Sequence, residues 1–570
     1  MGAFLLRERR DREPAADPPG HGLSLAKRVA GPDCELWLYR KANGGGGILY
    51  RVPGSHDFCA VVGTLVYDGL SGQAAARALF RDFDGRHAPY AKARGSYAVI
   101  ACREGEWSLW TDQLGSYKVY ADADTGAWSS SLLSLLDASP RRRLDTQGVY
   151  EYAFQGATYG DATVVDGIRL LPANGLYRPL ARSFEAGPPW WSAAADYPSP
   201  RAALDACLGS AGRLASELVQ ASGGALDSAL SGGYDSRLLL ALLRAAGCTP
   251  RLHVYGAAQS ADVRVALEIA RRLQLTVEHT DKRRWRDPAA RPLEAIVAEN
   301  FERFDGLPTD GIFDHGADLA TRMDRCADGR LMLNGGGGEI YRNFFYLPDR
   351  TFRPRELIWS FYSKYVPAFC SSYFDAAAYT GTLTAKLAAT LGVSSRARLS
   401  RRDVERAYPA FRLRYWTGRN TSVNNRLGAA CTPFSEPSLV AEALRIPVAW
   451  KHAGRFEAAM LARLDPELAA CPSAYGHDFL HPPPWRRRLE EWLTRQRPPW
   501  LRRYSYRLQA SLRNPLPDDC LAGRPRSEWL PAGRSTMACY FRLERINDAA
   551  VLARVASLEY LCRRYGLEPA

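Results

Sequence analysis

The first 140 residues alternate short apolar runs with glycine, aspartate and charged turns. The runs include CELWLYR, GILYRV, FCAVVGTLVYDG and GSYAVIAC, and each has the length and composition of a β-strand. A Pro-rich stretch that follows, AGPPWWSAAADYPSP, has the composition of a linker. The pattern therefore predicts a β-rich N-terminal domain over residues 1–190.

After residue 200 the pattern changes to alternating strand-like and helical segments. ALDSAL, PRLHVYGA and TVEHTD are strand-like, whereas DSRLLLALLRAAG and ADVRVALEIARRLQL carry apolar residues at helical spacing. Alternation of this kind predicts βαβ units around a parallel sheet. Because residues 355–480 are largely helical in pattern, we expect an α/β domain with a helical C-terminal part over residues 200–480.

A loop of unusual chemistry, LSGGYDSR, joins the first of these strands to its helix. It lies at the carboxyl end of a parallel strand, where open α/β sheets bind ligands. Gly232 and Gly233 let backbone N–H groups approach an anion, and Ser231 and Ser236 add hydroxyl donors beside a helix N-terminus. Asp235 would repel a bare phosphate, but it suits Mg²⁺ that bridges carboxylate and phosphate oxygens. The loop therefore predicts a magnesium–polyphosphate site.

The S-G-G-x-D-S pattern resembles the PP-loop of ATP pyrophosphatases, and no lysine follows the glycines as in the common NTPase loop. Over residues 1–480 the chain resembles the asparagine synthetase family, which includes β-lactam synthetases and lasso-peptide cyclases. The likeness rests on GSYAVIA, TDQLGSYKVYA and TVVDGIRLLPANGLYR before the loop, and on LNGGGGEIYRNFF and CTPFSEPSLVAEALRIP after it. The resemblance implies an Ntn-hydrolase-like αββα glutaminase domain followed by a PP-loop parallel-sheet domain.

The resemblance also implies cofactors and site residues. It implies ATP and Mg²⁺, with Asp235 and Glu339 as magnesium ligands and Asp262 as an acidic position before the second helix. The two glycine-rich loops would bind the nucleotide through Ser231, Gly232, Gly233, Asp235, Ser236, Gly335 and Gly337. Arg237 follows the loop at a position where a small residue is common. Two interpretations remain open: Arg237 contacts a phosphate or an acidic substrate, or it is simply packed against the sheet or solvated.

Two departures from the family change the expected chemistry. The family's glutaminase nucleophile is a cysteine directly after the initiator methionine, where this chain has Gly2, and Asp68 replaces a family asparagine. Because an Ntn nucleophile needs a thiol at the free N-terminus, we predict no glutaminase activity. The family's catalytic lysine has no counterpart in CPSAYGHDF, so we expect Lys451, or the nearby Arg455, to neutralise charge on the phosphate.

Composition narrows the class of protein. The 570-residue chain carries 12 cysteines and no C-x-x-C pair, which argues against a zinc ribbon or a dense disulfide scaffold. No apolar run approaches the roughly 18 residues that span a membrane. The N-terminus has its apolar patch before its charges, which is the reverse of a secretory signal. We therefore expect a cytoplasmic protein without a membrane span.

The last segment, residues 481–570, predicts a basic, aromatic-rich helical extension. It holds nine arginines from Arg486 to Arg513 against two glutamates, with tryptophans and tyrosines interleaved. The net charge of +14 also favours anionic partners, and an acidic peptide, RNA or an anionic membrane would each fit this tail. The interpretation we favour is a helical pair whose aromatic side chains pack on the preceding domain while the arginines stay in solvent.

Together these features predict an AMP-forming amide ligase of asparagine synthetase type. The enzyme would adenylate a carboxylate of a small molecule or peptide, and ammonia or a substrate amine would attack it, with lactam or macrolactam formation included. Two alternatives remain open. A non-catalytic nucleotide-binding scaffold would explain the missing lysine, and an RNA-modifying PP-loop enzyme would explain the arginine-rich tail. The Ntn-like N-terminal half argues against the RNA enzyme, so a nucleic-acid partner is not expected.

Overall fold

The structure is a computed structural model that describes residues 1–9, 17–44, 48–138, 142–191, 194–286, 291–531 and 533–570. The fold is mixed α/β, as the sequence predicted. Two antiparallel sheets form in the N-terminal part of the chain, and a parallel sheet follows them. The sequence pattern therefore identified the strand-rich and the alternating regions correctly.

Short strands with turn residues between them build the two antiparallel sheets. The first sheet has the strand order β10-β8-β9-β1-β3-β2, and the second has the order β12-β11-β7-β6-β5-β4. The strands are β1 (Ala3–Glu8), β2 (Leu25–Ala30), β3 (Cys34–Tyr39), β4 (Ile48–Arg51), β5 (Phe58–Tyr67), β6 (Ala93–Arg103), β7 (Glu106–Thr111), β8 (Tyr120–Asp122), β9 (Ala127–Ser129), β10 (Ile168–Leu170), β11 (Gly175–Arg178) and β12 (Ser183–Ala186).

The two antiparallel sheets pack face to face. Phe4 of the first sheet and Phe58 of the second belong to one apolar core between them. Helix α1 (Gly72–Asp82) covers the outer face of the second sheet, and α2 (Leu132–Asp137) and α3 (Thr146–Gln155) share a core with the first. Strand β5 is buried along its whole length because both of its faces are covered.

The parallel sheet begins at the strand that precedes the SGGYDS loop. Its strands are all parallel and lie in the order β15-β14-β13-β16-β17, which confirms the predicted βαβ arrangement. The strands are β13 (Leu226–Ala229), β14 (Arg251–Tyr255), β15 (Val277–Thr280), β16 (Leu331–Leu333) and β17 (Ala429–Cys431).

Helices surround this sheet and fill most of the chain that follows it. They are α4 (Pro200–Ser222), α5 (Tyr234–Ala245), α6 (Ala261–Arg272), α7 (Leu293–Arg303), α8 (Ala317–Arg325), α9 (Pro354–Leu357), α10 (Ala376–Thr390), α11 (Arg401–Ala407), α12 (Gly418–Leu427), α13 (Pro437–Ala443), α14 (Val448–Lys451), α15 (Arg455–Leu464) and α16 (Pro466–Ala469). Within the described ranges, no helix is both long enough and apolar enough to cross a membrane.

The C-terminal segment contains helices of two kinds. They are α17 (Trp485–Gln496), α18 (Pro499–Arg502), α19 (Ser505–Ser511), α20 (Arg526–Trp529) and α21 (Ala549–Tyr565). Helix α21 lies in the main core, where Val551 and Val555 join Val149 of α3. Its Arg554 also donates a hydrogen bond to the carbonyl of Ala153 at 2.9 Å. The end of the chain is therefore tied to the N-terminal part.

The expectation that the aromatic side chains of the tail pack on the preceding domain is wrong for its tryptophans. Trp485, Trp492 and Trp500 are 64%, 47% and 54% exposed. The reason lies in the polar contacts of α17, since Glu491 accepts a hydrogen bond from the backbone N–H of Ala453 at 2.8 Å. This helix turns its polar side to the protein and its apolar side to solvent.

Candidate functional site

The two glycine-rich loops leave neighbouring strands at the point where the sheet order reverses. After β13 the chain continues to β14 on one side, and it later returns to β16 on the other side of β13. Loops at such a switch point diverge and leave a crevice at the carboxyl ends of the strands. A Cβ atom at Gly335 would lie 3.2 Å from the Cα of Ser236, so the two loops touch through their backbones.

The first loop is held in shape by its own hydroxyl groups. The hydroxyl oxygens of Ser231 and Ser236 lie 2.8 Å apart, and the N–H of Gly233 donates to the Ser231 oxygen at 3.2 Å. The N–H of Gly232 donates to the carboxylate of Asp262 at 3.2 Å, which gives this acidic residue a positioning contact with the loop. Helix α5 begins at Tyr234, one residue before the predicted helical segment, and no side chain caps its first turn in the described structure. Its first N–H groups are therefore free to bind an anion at the crevice.

The second loop passes directly over Asp235. A Cβ atom at Gly338 would lie 2.9 Å from a carboxylate oxygen of Asp235 and 2.8 Å from one of Glu457, so a larger residue there would have to displace these carboxylates. Gly337 has a φ of 105°, and its N–H donates to Glu339 at 3.0 Å. The hydroxyl of Tyr408 donates to the same carboxylate oxygen at 2.7 Å. These contacts point Glu339 into the crevice beside Asp235.

A single arginine joins the acidic side chains of the crevice. The Nη2 atom of Arg342 lies 2.5 Å from Asp235 and 3.7 Å from Glu339, and its Nε lies 2.9 Å from Glu457. Asp235 and Arg342 are 107 positions apart in the chain. The sequence reasoning did not single out Arg342 or Glu457. Arg342 stands three residues after Glu339, which is a weak signal, and Glu457 gives none.

The crevice carries more negative than positive groups, and the pKa values reflect this. Burial raises the pKa of Asp235 to about 7, although Arg342 opposes the shift, and Glu339 adds to it. Burial, and then the charge of Asp235, also holds the pKa of Glu457 well above its usual range. For Glu339 burial acts upward, but Arg342 and the hydrogen bond from Tyr408 outweigh it, so its pKa lies below its usual value. One guanidinium for three carboxyl groups leaves room for a further cation.

The donor set of the crevice fits Mg²⁺. Asp235 and Glu339 both lie within 4 Å of the Nη2 atom of Arg342, so their carboxylates are neighbours. Mg²⁺ is usually held by one or two carboxylates, with substrate phosphates and water as its other ligands. In the part of the chain that the structure describes, no group of three or more His, Cys, Asp or Glu side chains forms a metal site. A site in which two carboxylates share the metal with phosphates would not form such a group.

The two cations expected to replace the family lysine lie apart from the first loop. Lys451 is 1% exposed, and its ammonium donates to Glu405 at 2.8 Å. It lines a small cavity with Glu339 and Arg342, on the side of the second loop. Arg455 is exposed and donates to backbone carbonyls of its own segment, at 3.0 and 3.3 Å. A catalytic role for Lys451 therefore stays a prediction, and Arg342 is the cation that touches Asp235.

Arg237 is a packed residue. It is fully buried, donates to the carbonyls of Cys471 and Pro472, and lies over the ring of Phe479 at 4.9 Å. Burial lowers its pKa to about 10. Contact with a phosphate or an acidic substrate is thereby excluded in this structure. Arg237 instead fixes the segment 471–479 beside the loop.

The segment 471–479, in which the sequence has no lysine, lies against the first loop. The N–H of Ala474 donates to the carbonyl of Gly232 at 3.0 Å. The ring of Tyr475 stacks on Tyr234 with 5.3 Å between centroids, and Arg487 of α17 lies 4.2 Å above the Tyr475 ring. An arginine of the C-terminal segment therefore reaches the neighbourhood of the loop.

Position 2 has no space for a larger side chain. A Cβ atom on Gly2 would lie 3.0 Å from the Cα of Lys41, and 3.1 Å from the carbonyl oxygens of Arg40 and Arg426. Asp68 lies in an exposed turn, where its φ is 54°. A cysteine at position 2 would require the surrounding backbone to move.

Comparison with models of known protein families gives no match to this chain, and comparison with curated proteins gives no significant match. The structure brings together the two loops singled out from the sequence, with Ser231, Gly232, Gly233, Asp235, Ser236, Gly335, Gly337 and Glu339 around one crevice.

Proposed function

We propose that this chain is an ATP-dependent, AMP-forming carbon–nitrogen ligase of asparagine synthetase type. The observation that carries the proposal is the meeting of two glycine-rich loops at the switch point, with Asp235 and Glu339 as neighbours between them. Backbone N–H groups at a helix start bind phosphate, and paired carboxylates hold Mg²⁺ beside it. If the loop lay without a pair of carboxylates beside it, we would infer only a site for an anion, without a metal ion.

In the proposed reaction, a substrate carboxylate attacks the α-phosphorus of ATP, and pyrophosphate leaves. An amine then attacks the acyl-adenylate, and AMP leaves. The first loop binds the departing pyrophosphate, and Asp262 keeps that loop in shape through the N–H of Gly232. Asp235 and Glu339 would hold Mg²⁺, which, when bound, offsets the negative charge of the phosphates. Ammonia or an amine of the substrate is the nucleophile.

Arg342 is proposed to supply the positive charge that a lysine supplies in the family. Glu457 binds the guanidinium at Nε and leaves the Nη2 edge toward Asp235. Donors that are fixed before the reaction stabilise charge that develops on a leaving group, because they need no reorganisation. If Asp235 bound Mg²⁺, the Nη2 edge of Arg342 would be available to donate to a phosphate oxygen.

The N-terminal part is proposed to be a degenerate Ntn-like domain that lacks glutaminase activity. Support comes from its layered arrangement of helix, sheet, sheet and helix, and from the closed space at Gly2. The absence of a thiol at position 2 removes the nucleophile that such a domain needs. Glutamate release from glutamine by the purified protein would contradict this part of the proposal.

The first test is exchange of labelled pyrophosphate into ATP, run with pooled amino acids and separately with pooled small peptides. We expect exchange that depends on Mg²⁺ and on one of the pools. Calorimetric titration of ATP, with and without Mg²⁺, runs in parallel because it needs no substrate. Failure to bind ATP under either condition would overturn the proposal.

The ion pair between Arg342 and Asp235 supports a second candidate, a nucleotide-binding scaffold without turnover. In that case Arg342 would keep Asp235 from metal. The scaffold predicts ATP binding that is indifferent to Mg²⁺, and no pyrophosphate exchange in any pool. The two measurements above therefore separate it from the ligase.

A further inference from the structure

The surface formed by α17, α18 and α19 carries most of the exposed large apolar side chains of this protein. Among the described residues, ten of the fifteen such side chains lie between Leu480 and Leu512. Single exposed apolar residues are ordinary, but a concentration of them in one short segment of the chain indicates an interaction surface. We call nine of them the outer stripe: Trp485, Leu489, Trp492, Leu493, Trp500, Leu501, Tyr504, Leu508 and Leu512.

Helix α17 is oriented against the usual rule for an amphipathic helix. Trp485, Leu489, Trp492 and Leu493 recur at helical spacing, so they form one face, and all four are exposed. The other face lies on the protein through polar groups, with Glu491 bonded to the N–H of Ala453. No residue of α17 is buried. A surface helix normally buries its apolar face, so this face is left for a partner.

The second half of the outer stripe is held outward by an anchored arginine. Arg502 is buried and donates to the carbonyls of Phe345 at 2.8 Å and Tyr346 at 2.7 Å. Tyr504 and Leu508 follow on the solvent side, one helical turn apart. The exposure of this half therefore results from a specific attachment of α18 to the body of the protein.

Charge and apolar chemistry together indicate what covers the stripe. Between Arg486 and Arg513 the chain has nine arginines and two glutamates, and Arg486, Arg488, Arg497 and Arg513 are exposed around the stripe. Tryptophan and leucine gain free energy by entering the boundary between headgroups and acyl chains, and arginine is attracted to anionic headgroups. RNA or an acidic peptide would engage the arginines but would leave the five leucines of the stripe in water.

We propose that α17–α19 bind the surface of an anionic lipid bilayer, with the outer stripe entering the headgroup boundary and the surrounding arginines on the headgroups. The proposal does not depend on the ligase function. Arg487 of α17 also lies over Tyr475, which is beside the first loop. The bound membrane would therefore lie on the same side of the molecule as the segment 471–479.

The test is flotation of the full chain with vesicles of phosphatidylcholine alone and of equal parts phosphatidylcholine and phosphatidylglycerol. We expect binding to the anionic vesicles that weakens with added salt. The double variant Trp492→Ser, Leu493→Ser should bind about 100-fold more weakly, because two large side chains no longer leave water. Arg486→Gln with Arg488→Gln should weaken binding by roughly 30-fold. Tyr373→Ser is the matched control, since Tyr373 is 84% exposed outside the stripe.

All three variants change exposed side chains, and circular dichroism melts should confirm that they fold like the parent. Equal binding of the Trp492→Ser, Leu493→Ser variant and the parent would overturn the proposal, as would failure of the parent to float with anionic vesicles. Retention of the parent on RNA or polyglutamate, without flotation on vesicles, would assign the surface to that other class of partner and would also overturn it.

Discussion

The crevice between the two glycine-rich loops and the outer stripe of α17–α19 invert the ordinary rule of burial in opposite ways. In the crevice, the fully buried Glu457 and the partly buried Asp235 both pair with Arg342. In the stripe, Trp485 and Leu512 stand in solvent, 64% and 78% exposed.

The two regions are stabilised in different ways. A buried charge costs free energy unless it is paired, so pairing with Arg342 lowers the cost of burying the carboxylates of the crevice. An exposed apolar face costs free energy until a partner covers it. Buried polar groups and exposed apolar patches are the informative departures in a folded chain, and each suggests a ligand of its own kind.

The largest expected effect is that of Asp235→Ala. This change removes one of the two carboxylates proposed to hold Mg²⁺, so Mg²⁺-dependent ATP affinity should fall by about 100-fold or more. Calorimetry with ATP and Mg²⁺ measures it. The control is Asp205→Ala, whose carboxylate is half-exposed and pairs with Arg463 away from the loops. If the Asp235 variant bound ATP and Mg²⁺ as tightly as the parent, the crevice would not be the nucleotide site.

Arg342→Ala should lower the rate of pyrophosphate exchange by about 100-fold, in line with loss of one preorganised donor. Its ATP affinity should change much less, because the loop and the carboxylates remain. Arg455→Ala is the matched control, since its guanidinium binds only nearby carbonyls. If both variants exchange equally fast, Arg342 does not have the role of the family lysine.

Gly338→Ala tests the packing of the crevice. The new methyl group would lie within 3 Å of Asp235 and Glu457, so we expect a loss of about 1–3 kcal/mol in the free energy of unfolding. Urea unfolding measures it. Gly381→Ala in α10 is the control, because open space surrounds it and alanine favours a helix by about 0.5–1 kcal/mol. A destabilisation of equal size at both positions would contradict the close approach of the second loop.

A further prediction concerns the pH dependence of stability. Burial raises the pKa of Asp235 to about 7, so the folded state holds a proton that the unfolded chain releases at lower pH. The ligand-free protein should therefore lose stability as the pH rises from about 4 to about 7. Glu457, with its raised pKa, acts in the same direction. Asp235→Asn should show a shallower loss than the parent in urea midpoints across this range.

Much of the crevice could be predicted from the sequence, because its parts are local. A strand, two glycines, an aspartate and a helix occur within one short stretch, and so do β16, Gly335, Gly337 and Glu339. Parallel order brought the two stretches together, as the alternating pattern predicted. The tail was recognised as helical, basic and aromatic from composition and spacing.

Local sequence was enough to predict the strand-rich and the alternating regions, the chemistry of the two loops and the lack of a thiol at position 2, since each depends on neighbouring residues. Only the tertiary structure decided that Arg342 and Glu457 meet Asp235, because contacts between distant segments follow from sheet order and packing. It also decided that α17 faces outward. Apolar periodicity defines a face of a helix, but the surface beneath it decides which face is buried.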